Sequence, residues 1–255
     1  MAARDARVEE LLAPDLRTRK PRTSGLTIVL DKGLGIRAVR DLVEVSGDHV
    51  DFAKIAWGSA LITGGLEDKL QAYRTGGITP LLGGTLFEYA YGAGKLDTLL
   101  AWVRDLRVSI EISDGVFDIP RPERLQWLER FAAAAGGPVF SELGGKVQQH
   151  DTLDWDEAIA EELRAGAHHV VVEGREVGPV GQPFRQDLVD RLLRSEHAER
   201  LVFEALERPQ QVRLVQTVGP NVNLGNILPE HVLTLESFRR GLKEHTLRGR
   251  PDRTG

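Results

Sequence analysis

The sequence contains no cysteine and a single methionine among its 255 residues. Without thiols there can be no disulfide, thiolate metal site, iron–sulfur cluster or cysteine nucleophile. Any metal must therefore sit on oxygen or imidazole ligands. Strong charge of one sign is also lacking: the formal net charge is -5, and no basic run is interleaved with aromatics. A nucleic-acid-binding surface is not indicated. No apolar run approaches the roughly 18 residues of a membrane span. The start, Met1-Ala2-Ala3-Arg4-Asp5, leads into charged residues rather than the apolar stretch of a secretion signal. These absences predict a cytoplasmic protein without membrane or nucleic-acid partners, acting on small molecules.

What is present is ordinary in amount but not in arrangement. Hydrophobic residues make up 41% and charged residues 28%, a balance that suits a packed globular protein. At successive points a short apolar run ends in a charged or polar residue. Thr27-Ile28-Val29-Leu30 meets Asp31-Lys32, Val50 and Phe52 precede Lys54, and Ile78 to Leu82 meets Gly83-Gly84-Thr85. Val108-Ser109-Ile110 meets Glu111 and then Asp114, Val139-Phe140 meets Glu142 and Lys146, and Val170-Val171-Val172 meets Glu173-Gly174-Arg175. Val202-Phe203 meets Glu204, and Val222 meets Asn223-Leu224-Gly225-Asn226. Buried parallel strands read as continuous apolar runs, and helical patterns separate most of these runs at a period of roughly 25 to 32 residues.

The predicted fold is α/β, a (β/α)8 TIM barrel in one domain, whose usual size is about 250 residues. Helices are expected over residues 66–73, 95–106, 122–135, 154–165 and 186–194, and a last one beginning at Thr234 as N-cap. Residues 1–24 read as an N-terminal extension covering the barrel's bottom or a neighbouring subunit. Residues 25–247 read as the barrel, and 248–255 as a flexible tail.

In such a barrel the strand-end groups converge on the C-terminal face, where chemistry is done. The acidic set Asp31, Glu111, Asp114, Glu142, Glu173 and Glu204 offers the hard oxygen ligands that Mg²⁺ prefers. Lys32, Lys54, Lys146 and Arg175 would offset that charge for an anionic substrate, and a lysine with a depressed pKa could move protons. Gly83-Gly84-Thr85 could present backbone N–H groups to an anion. The segment Asn223 to Asn226 falls where barrels often bind phosphate, after the eighth strand. Trp57 is read as packing, His168 and His169 as belonging to the opposite face. Asp51 could be ligand, partner of Lys54 or capping group.

Taken in order, Thr27 to Gly35, Val50-Asp51-Phe52-Ala53-Lys54, Trp57-Gly58, Gly83-Gly84-Thr85-Leu86-Phe87-Glu88, Ile110 to Gly115, Glu173-Gly174-Arg175-Glu176 and Val222-Asn223-Leu224 resemble the phosphosulfolactate synthase family. The resemblance implies a (β/α)8 barrel, a homo-oligomer, and Mg²⁺-dependent addition of sulfite to phosphoenolpyruvate, a carbon–sulfur bond-forming lyase reaction leading towards coenzyme M. It also implies that Lys146 is the proton donor and that Arg175, Lys54 and Lys32 hold the anions.

The chain departs from the family pattern at Leu82, Val116-Phe117, Gly145 and Pro220-Asn221, where a proline, polar residues, a lysine and two serines are usual. Placing most of these on the catalytic face predicts a less polar site. A different nucleophile or enol acid, or a non-catalytic stress-type relative, therefore stand as alternatives.

Overall fold

The computed structural model describes residues 5–12, 15–145, 153–178 and 183–247. The strands are β1 (Thr27–Asp31), β2 (Phe52–Ile55), β3 (Thr79–Leu82), β4 (Ser109–Ile112), β5 (Val139–Leu143), β6 (His169–Val172), β7 (Leu201–Glu204) and β8 (Leu224–Ile227). They form a closed parallel barrel in chain order, β8 returning to pair with β1. The helices are α1 (Ala6–Leu11), α2 (Ile36–Ser46), α3 (Leu66–Thr75), α4 (Gly84–Gly92), α5 (Leu96–Leu106), α6 (Arg121–Ala134), α7 (Trp155–Arg164), α8 (Gly174–Val177), α9 (Gln186–Arg194), α10 (Arg208–Val218) and α11 (Val232–Arg239). The last helix is capped at His231, three residues before the predicted Thr234, because Pro229 opens a short 3₁₀ turn that runs directly into it.

Side chains alternate across each strand, and this sets two separate cores. Leu26, Ile28, Phe52, Leu81, Phe140, Val171 and Val202 pack together inside the barrel. Val29, Ala53, Ile55, Leu82, Ile110, Val139, Val170, Val172 and Leu224 belong to the larger core between barrel and helices. The inner layer is small, so a residue two positions beyond an inner apolar one faces the C-terminal mouth.

The N-terminal end is closed by buried charge. Arg17 donates through Nε to Glu236 (3.1 Å), and Arg22 pairs with Asp51 at 3.0 Å. Asp51 also accepts from the Thr27 N–H at 2.9 Å, while Arg239 donates to the Pro220 and Val222 carbonyls at 2.7 Å each. Asp51 is thus a clasp at the bottom of β1, neither a partner of Lys54 nor a ligand at the mouth.

His169 enters the barrel from the same end. It stacks on Phe140 at 5.3 Å between ring centres, and its Nδ1 lies 3.3 Å from the Arg200 carbonyl, close enough to donate. Burial pulls its pKa down to about 4, despite the Arg200 carbonyl favouring the protonated ring. A base with a depressed folded-state pKa binds its proton more readily in the unfolded chain. Stability is therefore lost as pH falls below the unfolded value near 6.5, and the loss is complete near 4. The expected penalty is about 2 kcal/mol, below the full linkage value because the ring is not wholly enclosed. Melting curves of His169→Gln and of the parent between pH 7 and 4.5 should converge on acidification; equal pH slopes would refute this.

Candidate active site

Four inward positions at the C-terminal mouth carry charge. Lys54 stands two residues beyond the inner Phe52, Glu142 two beyond Phe140, and Glu204 two beyond Val202. Glu111 comes from β4. All four are buried. Carboxylate oxygens of Glu111, Glu142 and Glu204 lie within 4.8 Å of one another, the one such group among the described residues. The Lys54 ammonium sits 2.9 Å from Glu111 Oε2 and 3.0 Å from Glu204 Oε1. Burial alone would lower the Lys54 pKa, but the charges of Glu111, Glu204 and Glu142 outweigh it and raise it far above the ordinary lysine range. The expectation of a proton-moving lysine does not suit Lys54, which is a fixed cation.

The glycine pair serves this group. Gly84, first residue of α4, donates its N–H to Glu111 Oε1 at 3.0 Å, and Gly83 donates to the Ile55 carbonyl at 3.1 Å. A Cβ on Gly84 would lie 2.4 Å from Ser113 Oγ, and one on Gly83 3.1 Å from the Ile55 carbonyl. Only glycine lets the start of α4 close on β4 this tightly. These two amides therefore hold protein groups and not the substrate anion predicted for them. Thr85, also assigned to anion binding, is the part-buried second residue of the helix.

Other predicted ligands are elsewhere. Asp31 is 0% exposed and faces the helices, because it follows the outward Val29 by two residues. It pairs with Lys69 of α3 at 2.7 Å and accepts from Tyr73 Oη (2.8 Å) and from the N–H groups of Gly33 (2.8 Å) and Leu34 (2.7 Å). It shapes the β1–α2 turn, which leaves Lys32 exposed. Asp114 pairs with Arg124 Nε at 3.4 Å, outside the carboxylate group. Glu173 caps α8 by accepting from the Arg175 N–H at 2.5 Å. Its burial, followed by the charge of Glu204, pushes its pKa up to about 7, which places it near Glu204 at the mouth. Arg175 is exposed beside it. Lys146 lies outside the described residues.

Asn223 to Asn226 is not a turn after β8 but β8 itself and its entry. Asn223 sits at the bottom, accepting from the Leu26 N–H at 3.0 Å and donating to the Leu201 carbonyl at 2.9 Å. Asn221 is at the same end, accepting from Arg17 at 2.9 Å, so Pro220-Asn221 does not alter the catalytic face. Gly225 is inward, where a Cβ would stand 3.9 Å from Glu204 Cγ. Asn226 has φ 56° at a bulge where the register against β1 skips a residue. Its Oδ1 is buried without a hydrogen-bond partner among the described residues. Trp57, read as packing, is 53% exposed with φ 54°, on the same rim as the exposed Val116 and Phe117.

Sequence reasoning missed Arg124, Glu162, Glu88 and Lys69, all buried. Glu88 accepts from Ser113 Oγ at 2.6 Å and from the Val116 N–H at 2.7 Å, fixing the loop after β4. The available signal was a charge on an apolar helical stripe: Arg124 shares its buried face with Leu128 and Phe131, and Lys69 shares one with Leu66, Leu70 and Tyr73.

Three carboxylates converging on one spot are a hard-oxygen donor set that fits a small divalent cation such as Mg²⁺. Among the described residues no helix is long and apolar enough to cross a membrane. Solved structures share the fold at low identity: 3-hexulose-6-phosphate synthase of Salmonella typhimurium has a TM-score of 0.54 and 16% identity, covering 87% of this chain and 98% of its own. Dihydrodipicolinate synthase of Agrobacterium tumefaciens has a TM-score of 0.57 and 13% identity, with 87% and 76% covered. Sequence relatives are far nearer. The phosphosulfolactate synthase of Methanothermobacter thermautotrophicus is 38% identical over 91% of this chain and 94% of its own. That of Bacillus subtilis is 33% identical over 91% and 95%. The family described as (2R)-phospho-3-sulfolactate synthase (ComA) matches residues 15–245, which takes in every strand of the barrel and all four charged groups at its mouth. The chain belongs to the phosphosulfolactate synthase family.

Proposed function

We propose that this barrel catalyses the Mg²⁺-dependent addition of sulfite to phosphoenolpyruvate. The observation that carries the reading is the buried group of Glu111, Glu142 and Glu204 around the Lys54 ammonium at the C-terminal mouth. The sulfur lone pair of sulfite attacks the methylene carbon of the enol phosphate. A C–S bond forms, the C=C π pair moves towards the carboxylate as an aci-carboxylate, and a proton is then delivered to the adjacent carbon. The phosphate ester is retained, and nothing leaves.

The residues divide this work by chemistry. Glu111, Glu142 and Glu204 would hold the Mg²⁺, which when bound stabilises negative charge developing on the substrate carboxylate. Lys54, whose ammonium lies against Glu111 and Glu204, contributes positive charge to the same region. Arg175, with its planar fork, and Lys32 are exposed strand-end cations suited to phosphate or sulfite. Asn226 offers a buried Oδ1 that no protein donor satisfies among the described residues, and so an acceptor for a bridging water. Family resemblance assigns proton donation to Lys146. The exposed Val116, Phe117 and Trp57 support a second reading in which the nucleophile is less charged than sulfite.

A phosphorus NMR time course with phosphoenolpyruvate, sulfite and Mg²⁺ tests both. A new phosphate-ester resonance that requires sulfite, Mg²⁺ and Lys146 is the expected result. Phosphoenolpyruvate binding without turnover until a neutral thiol replaces sulfite would favour the second reading. Absence of binding would overturn both.

A further inference from the structure

We infer that Arg124 is a positioning residue for the carboxylate group: it locks the ends of β4 and β5 together so that Glu111 and Glu142 meet Glu204 at a fixed spacing. This rests on the cation-binding reading of that group. Arg124 is 0% exposed and is the largest fully buried side chain among the described residues. It projects from the first turn of α6 into the layer behind the barrel wall. There Nη2 donates to the Glu142 carbonyl and to Ser141 Oγ, both at 2.8 Å, and approaches the Ile112 carbonyl at 3.4 Å. Nη1 pairs with Glu162 of α7, which is equally buried, and Nε faces Asp114 at 3.4 Å. Ser141 Oγ in turn donates to Glu162 Oε2 at 2.7 Å.

The grip is aimed at one place. Ile112 follows Glu111 and pairs in register with Ser141, which precedes Glu142. Since neighbours on a strand face opposite ways, the outward Ile112 and Ser141 carry the inward Glu111 and Glu142 on their other side. One planar guanidinium holding both strand ends thereby sets how far apart two of the three carboxylates stand. Lysine keeps the charge but cannot reproduce the fork. Outer-shell partners of this kind typically govern metal affinity by about 10–100-fold.

The test is a calorimetric titration of the metal-free full-length protein with Mn²⁺, for the parent, Arg124→Lys and Ser141→Ala, beside their melting curves and kinetics. Arg124→Lys should bind Mn²⁺ about 10–100-fold more weakly. Ser141→Ala, a small truncation, should bind a few-fold more weakly, and added Mn²⁺ should restore part of the lost kcat in both. A folded Arg124→Lys with parental Mn²⁺ affinity overturns the inference. Should that variant fail to fold, unchanged affinity in Ser141→Ala overturns it. A parent that binds no Mn²⁺ removes the cation reading and this inference together, a result separable from the variant comparisons.

Discussion

Replacing Lys54 with methionine should lower the melting temperature of the metal-free protein by on the order of 10 °C and reduce turnover by at least about 100-fold. Methionine keeps the length of the aliphatic stem, with sulfur in place of Cδ, and removes the ammonium. In the folded protein that ammonium lies about equally close to Glu111 and Glu204, in a site closed to solvent. Breaking a buried ion pair from one side costs about 3–5 kcal/mol, because the remaining charges stay desolvated. In a chain of this size each kcal/mol is worth about 2–4 °C. Mg²⁺ should recover part of the loss, since a cation that binds only the folded state stabilises it by mass action. Calorimetric melts in chelator and in Mg²⁺ measure both effects. A variant melting with the parent in chelator would mean that Lys54 is not the cation on which the carboxylates depend.

The barrel was legible because it is written in a local code. Apolar runs such as Val170-Val171-Val172 can be read without knowing their neighbours, and each run found corresponds to a strand or its immediate flank. The converging carboxylates were legible in part, and the division follows a parity that composition does not show. Glu111, Glu142 and Glu204 share a face with the inner layer, whereas Asp31 shares one with the outward Val29. A strand end shifted by one residue reverses the direction of a side chain, and no motif announces the shift. β8 differs for another reason: Val222 reads as the end of the last strand, whereas the pairing with β1 begins at Leu224, so Asn223 lies at the strand's start and not beyond its end. The burial of Arg124 can be read from its helical stripe, but its role cannot. Its partners, Glu162 of α7 and both Ser141 Oγ and the Glu142 carbonyl of β5, come from two later elements, and only the closed fold brings them together.

That parity yields the sharpest contrast between two acidic residues which the sequence alone treats alike. Glu142→Gln preserves shape and removes one charge from the carboxylate group. Turnover should fall by about 10²–10³-fold, and the Mg²⁺ concentration for half-maximal activity should rise, while the melting temperature stays within a few degrees. Less mutual repulsion offsets what is lost in polarity. Asp31→Asn should do the reverse. Its carboxylate balances the buried Lys69 and receives Tyr73 Oη, and both contacts lie on the helix side of β1. Leaving that lysine unpaired costs about 3–5 kcal/mol, with the Mg²⁺ requirement unaltered in the protein that remains folded. Mg²⁺ titrations of activity beside thermal melts place each variant on both axes. An unchanged Mg²⁺ requirement in Glu142→Gln, together with a raised one in Asp31→Asn, would move the cation site from the inside of the barrel to its outer wall and undo the assignment.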